Sequence, residues 1–419
     1  MIELRPHQQR AFDIMRDSDK GQVIVPTGGG KTMVMIEHAR MTYCQNAVPK
    51  TIVVVAPRIL LANQLCSEFL EQNLDGWYNQ SIECIHVHSG ETHFKSTTKT
   101  KQLEEWYHNT PKNLIIFTTY HSLHKITDSL DIEVDVAYYD EAHNSVTRRF
   151  FEGVKAMSHR SAKSFFFTAT PRIAHTHERS MTNEDVYGKR LINVPAPELI
   201  EQGHILPPTI VPFEVNNEGR NKVNMHEFDA DTVDDVIDTL DDTHASKVLV
   251  AVPSSAVLSN MLSKTTLLYR LAERGYDVLH ITSKFGAIVN NKKVSREHFF
   301  DTLNEYGRDP DKKFVIFHYS ILSEGINVHG LTHCILLRNL NVVEMAQTIG
   351  RVIRLDKRDT KRLQTGELKP CNWSMYHKPT GTITVPVSNT KRTQRTINRL
   401  QLVVDSIFKK GEPPLSIVR

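Results

Sequence analysis

Short apolar, β-branched runs alternate along this chain with longer stretches that gather apolar residues on one helical face. In the first half the runs fall at residues 23–25, 51–55, 113–118, 134–139 and 164–167. Near-continuous apolar strands between amphipathic helices suit a parallel sheet covered on both faces, because neither side of such a strand meets water. The pattern predicts an α/β unit. It breaks at residues 193–212, where Pro195, Pro197, Pro207, Pro208 and Pro212 bracket a short helix at 198–203. An acidic stretch follows at 227–242, with Val233, Val236, Ile237 and Leu240 at helical spacing. It predicts an amphipathic helix with a solvated acidic face. Strand-like runs resume at 247–252, 277–282, 313–318, 333–337 and 382–387, predicting a second α/β unit of similar size. The expected division is a first domain at 1–200, a connector with the acidic helix at 201–245, and a second domain at 246–419.

Composition narrows this picture. The chain has 419 residues, 40% hydrophobic and 24% charged, which suits packed domains rather than disorder. The longest apolar runs are strand-length, so no membrane span is expected. The first ten residues are polar and charged and lack the order of a signal peptide, which points to the cytoplasm, or to a host cytoplasm if the source is viral. Cys44, Cys66, Cys84, Cys334 and Cys371 stand far apart without a C-x-x-C pair, so they are expected to be reduced core thiols, and a structural zinc site is not expected. Charge is uneven. From Arg351 to the C-terminus there are 15 Lys and Arg against 5 Asp and Glu, whereas residues 1–350 carry 36 against 43. A basic end on a mildly acidic body suits a polyanion partner, and equally a solvated face of a terminal helix.

Two segments carry candidate chemistry. After the strand at 22–25 comes Pro26, Thr27, Gly28, Gly29, Gly30, Lys31 and Thr32, followed by an apolar helix. The glycines let successive backbone N–H groups and a helix N-terminus converge on one concave spot, where a phosphate would sit. Lys31 would neutralise the β and γ phosphates, and Thr32 would hold a magnesium ion. The general phosphate-loop pattern has a glycine five residues before Gly30, and Val25 stands there instead. The strand at 134–139 ends in Asp140, Glu141, Ala142 and His143. A carboxylate at the C-terminal end of a parallel strand lies on the ligand edge of the sheet. Asp140 is then placed for the magnesium shell, and Glu141 for orienting or deprotonating an attacking water.

The order of these segments, with Thr168, Ala169, Thr170 and Pro171 after them, resembles motifs I, II and III of superfamily 2 helicases with a DEAH motif II. In that family the position of Val25 is commonly not glycine. Leu4, Arg5, Pro6, His7 and Gln8 look like the Q-motif region, where Gln8 would read the adenine edge with Arg5 beside it. Residues 56–58 look like motif Ia, and Thr118, Thr119 and Tyr120 lie where motif Ib is expected. Residues 248–254 resemble motif IV, and Ser323, Glu324, Gly325, Ile326 and Asn327 resemble motif V, with Gly325 and Asn327 toward the nucleotide. Gln347, Thr348, Ile349, Gly350, Arg351, Val352, Ile353 and Arg354 resemble motif VI. On a helix Arg351 and Arg354 would share a face, available to a γ-phosphate held by the other domain.

The resemblance runs from Leu4 to about Leu400. It implies two tandem RecA-like domains, each a mainly parallel sheet covered by helices, with an ATP cleft between them, ATP and Mg2+ as cofactors, and ATP-driven closure. Nucleic acid would lie opposite the cleft, gripped at Arg58, Thr118, Thr119, Ser254 and Ser323, although core or capping roles fit these Ser and Thr residues equally well. His143, Thr168 and Thr170 would couple the two sites. The opening Arg-Pro-His-Gln and the form of motif V look more like the restriction-subunit and UvsW-like DNA branch than DEAD-box RNA helicases, which favours DNA. The segment 363–387, with Trp373 and Tyr376, fits either a protruding hairpin or the last strand of the second sheet with its loop. The terminal helix at 393–410, with Ile397, Leu400, Val404 and Ile407, is expected to pack on that sheet. An RNA helicase, the motor subunit of a restriction-type complex and an ATP-gated clamp are the alternatives.

Overall fold

The computed structural model describes residues 3–44, 48–72, 82–90, 92–129, 131–240, 245–282, 285–319, 328–388, 391–413 and 416–418. The chain divides into two compact units, Met1–Pro195 with Pro413–Arg419 and Ala196–Glu412. The first contains α1 (Pro6–Arg16), β1 (Lys20–Ile24), α2 (Lys31–Cys44), β2 (Thr51–Ala56), α3 (Ile59–Glu71), β3 (Ile82–Val87), α4 (Thr100–Asn109), β4 (Asn113–Thr119), β5 (Val136–Tyr139), α5 (Arg148–Arg160), β6 (Lys163–Thr168), β7 (Arg172–Ala174) and β8 (Lys189–Asn193). Seven of these strands form one parallel sheet in the order β3-β4-β2-β5-β6-β1-β8.

Every residue of β2 is buried, as expected of a strand with helices on both faces. Val53, Val55, Ile116, Tyr139 and Phe166 form the centre of one apolar layer, each adding about 1.5–3 kcal/mol by leaving water. The sequence pattern reveals the inner strands and misses β3 and β8. Both are edges of the sheet with mixed sequences: Lys189, Arg190 and Asn193 of β8 are exposed, and β3 carries the partly exposed Glu83 and Cys84 beside the buried His86.

The second unit contains β9 (Pro208–Glu214), α6 (Met225–Asp238), β10 (Lys247–Ala251), α7 (Ser255–Lys264), β11 (Asp277–Thr282), β12 (Gly286–Val289), β13 (Lys292–Val294), β14 (Phe314–His318), β15 (His333–Leu336), α8 (Val342–Val352), β16 (Gly381–Val387) and α9 (Lys391–Val403). Its sheet runs β13-β12-β11-β14-β10-β15-β16-β9, parallel except that β12 runs antiparallel to both β11 and β13. β12 and β13 form a hairpin. That hairpin turns on Asn290 and Asn291, with φ of 45° and 64°, the left-handed pair of a tight hairpin turn. These are two mainly parallel sheets flanked by helices, the architecture of tandem RecA-like domains. Finally, β17 (Ser416–Val418) pairs with β7 in the first unit.

Several expectations change here. The proline-rich connector holds an edge strand, β9, paired with β16. The Pro207 carbonyl accepts from Gly381 N–H, so alternate residues, including Pro208 and Pro212, turn their nitrogens to the open edge, where no donor is required. The acidic face of α6 is not wholly solvated. Asp229 is buried and ion-paired with Arg220, and buried Asp234 is held by Arg270 and Arg274. The segment before β16 forms a loop with a short turn at Trp373–Met375 and a buried Tyr376, and β16 is a strand of the sheet rather than half of a hairpin. The terminal helix packs on β16 and β9 with Leu400 buried and Ile397 half-buried, whereas Val404 and Ile407 are buried in the following turn, which packs on the short helix Ala196–Glu201. Cys66 and Cys334 are core residues, but Cys44 and Cys371 are exposed. No helix among the described residues is long and apolar enough to cross a membrane.

Candidate functional site

The order β5-β6-β1 sets three segments side by side. All three strands run the same way, so their C-terminal ends share one sheet edge. Val25 N–H donates to the Thr168 carbonyl at 3.0 Å, and Asp140 N–H to the Val55 carbonyl at 2.8 Å. Residues 26–32, 140–143 and 168–170 thereby meet, although more than 100 residues separate the first two.

The glycine loop is braced from below. Gly28 and Gly30 have φ of 89° and 77°, which only glycine adopts without strain. A side chain at Gly30 would meet the Gln8 amide, whose nitrogen is 2.3 Å from the ideal Cβ position. Gln8 Nε2 donates to the Gly30 carbonyl at 3.1 Å, and a His7 ring nitrogen lies 2.7 Å from the Gly29 carbonyl. The Gln8 carbonyl oxygen accepts from Arg5 N–H at 2.9 Å. Both ends of the Gln8 carboxamide are thus engaged within the protein, and α1 serves as a brace for the loop. Pro26, Thr27 and Thr32 are half-buried around it, and Lys31 opens α2.

Lys31 Nζ pairs with Glu141 Oε1 at 3.1 Å, both side chains at most 11% exposed. Glu141 has φ of 46°, a conformation that costs a residue with a Cβ about 1 kcal/mol and recurs at functional sites. His143 Nδ1 lies 3.4 Å from Glu141 Oε2, 3.0 Å from Thr168 Oγ1 and 3.4 Å from Thr170 Oγ1. Burial lowers the His143 pKa to about 4, so its ring is neutral at pH 7. Burial, reinforced by the Glu141 charge and opposed by Lys31, pushes the Asp140 carboxyl up to about 7. Tyr120 donates its hydroxyl to the Asp140 carbonyl at 2.8 Å; it and His7 stand in the motif Ib and Q-motif segments, where the motif reading gave neither a role. The buried Asp140 carboxylate at the C-terminal end of β5 and the half-buried Thr32 hydroxyl in the first turn of α2 are hard-oxygen donors of the type a magnesium ion takes.

The second unit supplies the other candidates. Asn341 and Glu344 cap α8 reciprocally, Asn341 Oδ1 accepting from Glu344 N–H at 2.9 Å. Gln347 and Arg351 on this helix are each only 3% exposed, and Gln347 Nε2 is buried without a hydrogen-bond partner among the described residues. The Arg351 charge helps hold the buried His318 at a pKa of about 3, after burial itself. Arg354 falls beyond the helix, past its C-cap Ile353, so the two arginines do not share a helical face. The chain turns there, and buried Lys378 donates to the Arg354 carbonyl at 2.7 Å.

The candidate nucleic-acid residues are Arg58, Thr118 and Thr119 in the first unit and Ser254 in the second. Arg58 is exposed at the N-cap of α3. Thr118 is buried and donates to the Val87 carbonyl at 2.8 Å, and the buried Thr119 hydroxyl accepts from Ser122 N–H at 3.3 Å. Ser254 caps α7, accepting from Val257 N–H at 3.1 Å. These are core and capping roles. Ser323, Gly325 and Asn327, with the rest of the motif V segment, lie outside the described residues.

Comparison with known proteins fits this geometry. Residues 1–173 match the family described as type III restriction enzyme, res subunit, and residues 231–356 match the helicase conserved C-terminal domain. No curated protein matches the chain by sequence. Among solved structures, the ATP-dependent type ISP restriction-modification enzyme LlaBIII bound to DNA is similar over 100% of this chain and 31% of its own, with a TM-score of 0.69 and 16% identity. The helicase Lhr of Mycobacterium smegmatis bound to ssDNA and AMP-PNP is similar over 96% of this chain and 48% of its own, at 0.63 and 18%. A fragment of a putative HsdR subunit of a type I restriction enzyme from Vibrio vulnificus is similar over 98% and 67%, at 0.59 and 14%. The chain therefore spans about a third of LlaBIII and about half of Lhr. Residues 1–173 are thus similar to the restriction-enzyme res subunit and residues 231–356 to the helicase C-terminal domain, each on a RecA-like fold.

Proposed function

We propose that this chain is an ATP-driven DNA helicase or translocase of the restriction-subunit branch. The observation that carries this reading is the buried Lys31–Glu141–His143–Thr168 chain of contacts beneath a glycine loop at a helix N-terminus. The loop N–H groups and Lys31 would take the β and γ phosphates. An incoming polyphosphate competes with Glu141 for Lys31, and the released carboxylate is then free to orient the attacking water. Thr32 and Asp140 would hold magnesium, which supplies charge neutralisation between the β and γ phosphates. Arg351 would stabilise charge on the transferred phosphoryl group, with Gln347 beside it, so that ATP favours closure of the two domains and hydrolysis releases it. Neutral His143 links Glu141 to the two threonine hydroxyls, and a change at the γ-phosphate can pass through it as a hydrogen-bond rearrangement. Glu141 and Arg351 weigh against a passive clamp, which has no use for hydrolytic groups.

DNA is favoured by the restriction-enzyme family match, by the DNA-bound state of the LlaBIII and Lhr structures, and by the basic C-terminal end. Because the chain spans only part of the type ISP enzymes, a role as the motor portion of a larger restriction-type assembly is the second reading. The test compares ATP hydrolysis with no nucleic acid, single-stranded DNA, forked DNA and RNA. DNA is expected to raise turnover severalfold above RNA. A rate indifferent to every nucleic acid would end the motor reading, and a response to RNA alone would replace DNA with RNA.

The raised Asp140 pKa makes a further prediction. Magnesium requires the ionised carboxylate, so the apparent KM for Mg-ATP should climb as pH falls below about 7 and level off above it. The stability sign is opposite. A carboxyl whose folded pKa exceeds its unfolded value favours folding at low pH, and that contribution is lost as pH rises from about 4 through about 7. Asp140→Asn should therefore melt higher than the parent above pH 7 without nucleotide, while losing turnover. A variant that melts lower at that pH would contradict this account of the carboxyl.

A further inference from the structure

Beneath α3 lies a second cluster of chemically capable side chains that the ATP site does not use. Cys84, His86 and His88 alternate along β3 and its continuation, so they share one face of the sheet edge, and Cys66 comes down onto that face from α3. Cys66 Sγ and Cys84 Sγ are 3.4 Å apart, and a ring nitrogen of His86 lies within 4.8 Å of both. His86 is fully buried, its ring stacked on Phe94 at 5.2 Å and on Phe117 at 5.4 Å. Its Nδ1 is 2.9 Å from His88 Nε2, while its Nε2 has no hydrogen-bond partner among the described residues.

We propose that Cys66, Cys84 and His86 form a binding site for a thiophilic divalent cation of the zinc type. Tetrahedral coordination of a d10 ion sets two thiolate sulfurs about 3.8 Å apart and an imidazole nitrogen about 3.6 Å from each, so the sulfurs, now 3.4 Å apart, part slightly and the His86 ring, now within 4.8 Å of both, closes on the ion. Three protein ligands leave the fourth position to water. His86 Nδ1–H donating to His88 Nε2 is the outer-shell bond that fixes a metal-binding imidazole in the tautomer that offers Nε2. Both sulfurs become thiolates and two protons leave to solvent, with no change of oxidation state. Cys84 is only partly buried on an edge strand and marks the entry path. The sequence spacing hid this set, because 18 residues separate the cysteines and the fold joins a helix to a strand. The bound ion would clip α3 to β3, steadying the helix whose first turn carries Arg58.

The test uses the purified full chain and does not depend on ATP hydrolysis. After exhaustive dialysis with zinc, bound metal is counted by mass spectrometry, and cobalt(II) is added as a spectroscopic probe to metal-free protein. One zinc per chain is expected, with a thiolate-to-cobalt charge-transfer band that disappears in Cys66→Ser and persists in Cys371→Ser. His88→Ala should weaken binding by about 10- to 100-fold. Should Cys66→Ser fail to fold, chelation of the parent is read instead: two thiols should become reactive as zinc leaves. Zinc well below one per chain, a cobalt spectrum without the thiolate band, or zinc released with no change in thiol reactivity would each overturn the site.

Discussion

Arg351→Ala is expected to lower kcat for DNA-stimulated ATP hydrolysis on the order of 10³- to 10⁵-fold, the usual worth of an arginine presented to a transferring phosphoryl group. The physical reason is charge that develops only in the transition state, so nucleotide affinity should change far less than turnover. Arg351 is 3% exposed, and its charge is felt at His318 and Cys334, so its removal also disturbs its own unit. Arg351→Lys separates the two effects: it keeps the positive charge near His318 and loses the planar fork that phosphate contact requires. Nucleotide binding by fluorescence, thermal melting and kcat are measured together. The lysine variant should melt like the parent and still hydrolyse poorly. If either variant retains kcat within about tenfold, motif VI does not act on the phosphoryl group and the proposed division of labour fails.

Glu141→Gln should reduce turnover on the order of 10²- to 10⁴-fold while ATP binding is kept or tightened. The substitution preserves shape but removes the negative partner of Lys31, leaving the ammonium wholly to the phosphates. Lys31→Ala should lose turnover too, but with a different signature. It strips the cation from a carboxylate only 6% exposed, and leaving such a buried charge alone costs roughly 3–5 kcal/mol. The nucleotide-free Lys31→Ala protein should consequently melt well below the parent, and adding Glu141→Gln should restore much of the loss. Equal melting of Lys31→Ala and the double variant would mean that the pair does not shape the resting site.

Local pattern was enough for a good part of this protein. Buried strands with helices on both sides show up as apolar runs in any window of six residues, which is why β2, β4, β6, β10, β11, β14 and β15 were all legible. The glycine loop and the Asp-Glu pair were legible for the same reason: each is a contiguous piece of chemistry set directly after a strand. The edge strands β3, β8, β9 and the β12–β13 hairpin were not, because an edge meets water on one side and its composition blurs toward that of a loop.

Some matters no local pattern contains. That Lys31 and Glu141 touch follows from β6 lying between β1 and β5, a strand order settled by packing across the whole sheet. Likewise Thr118 fits a gripping or a core role equally well in the sequence, and only the fold supplies the Val87 carbonyl that engages its hydroxyl. The same holds for Arg354, set beyond the end of α8, and for Cys66 meeting Cys84. Strand and helix identities rest on neighbours a few residues apart, whereas contacts between distant residues depend on which faces bury each other, and that is a property of the whole folded chain.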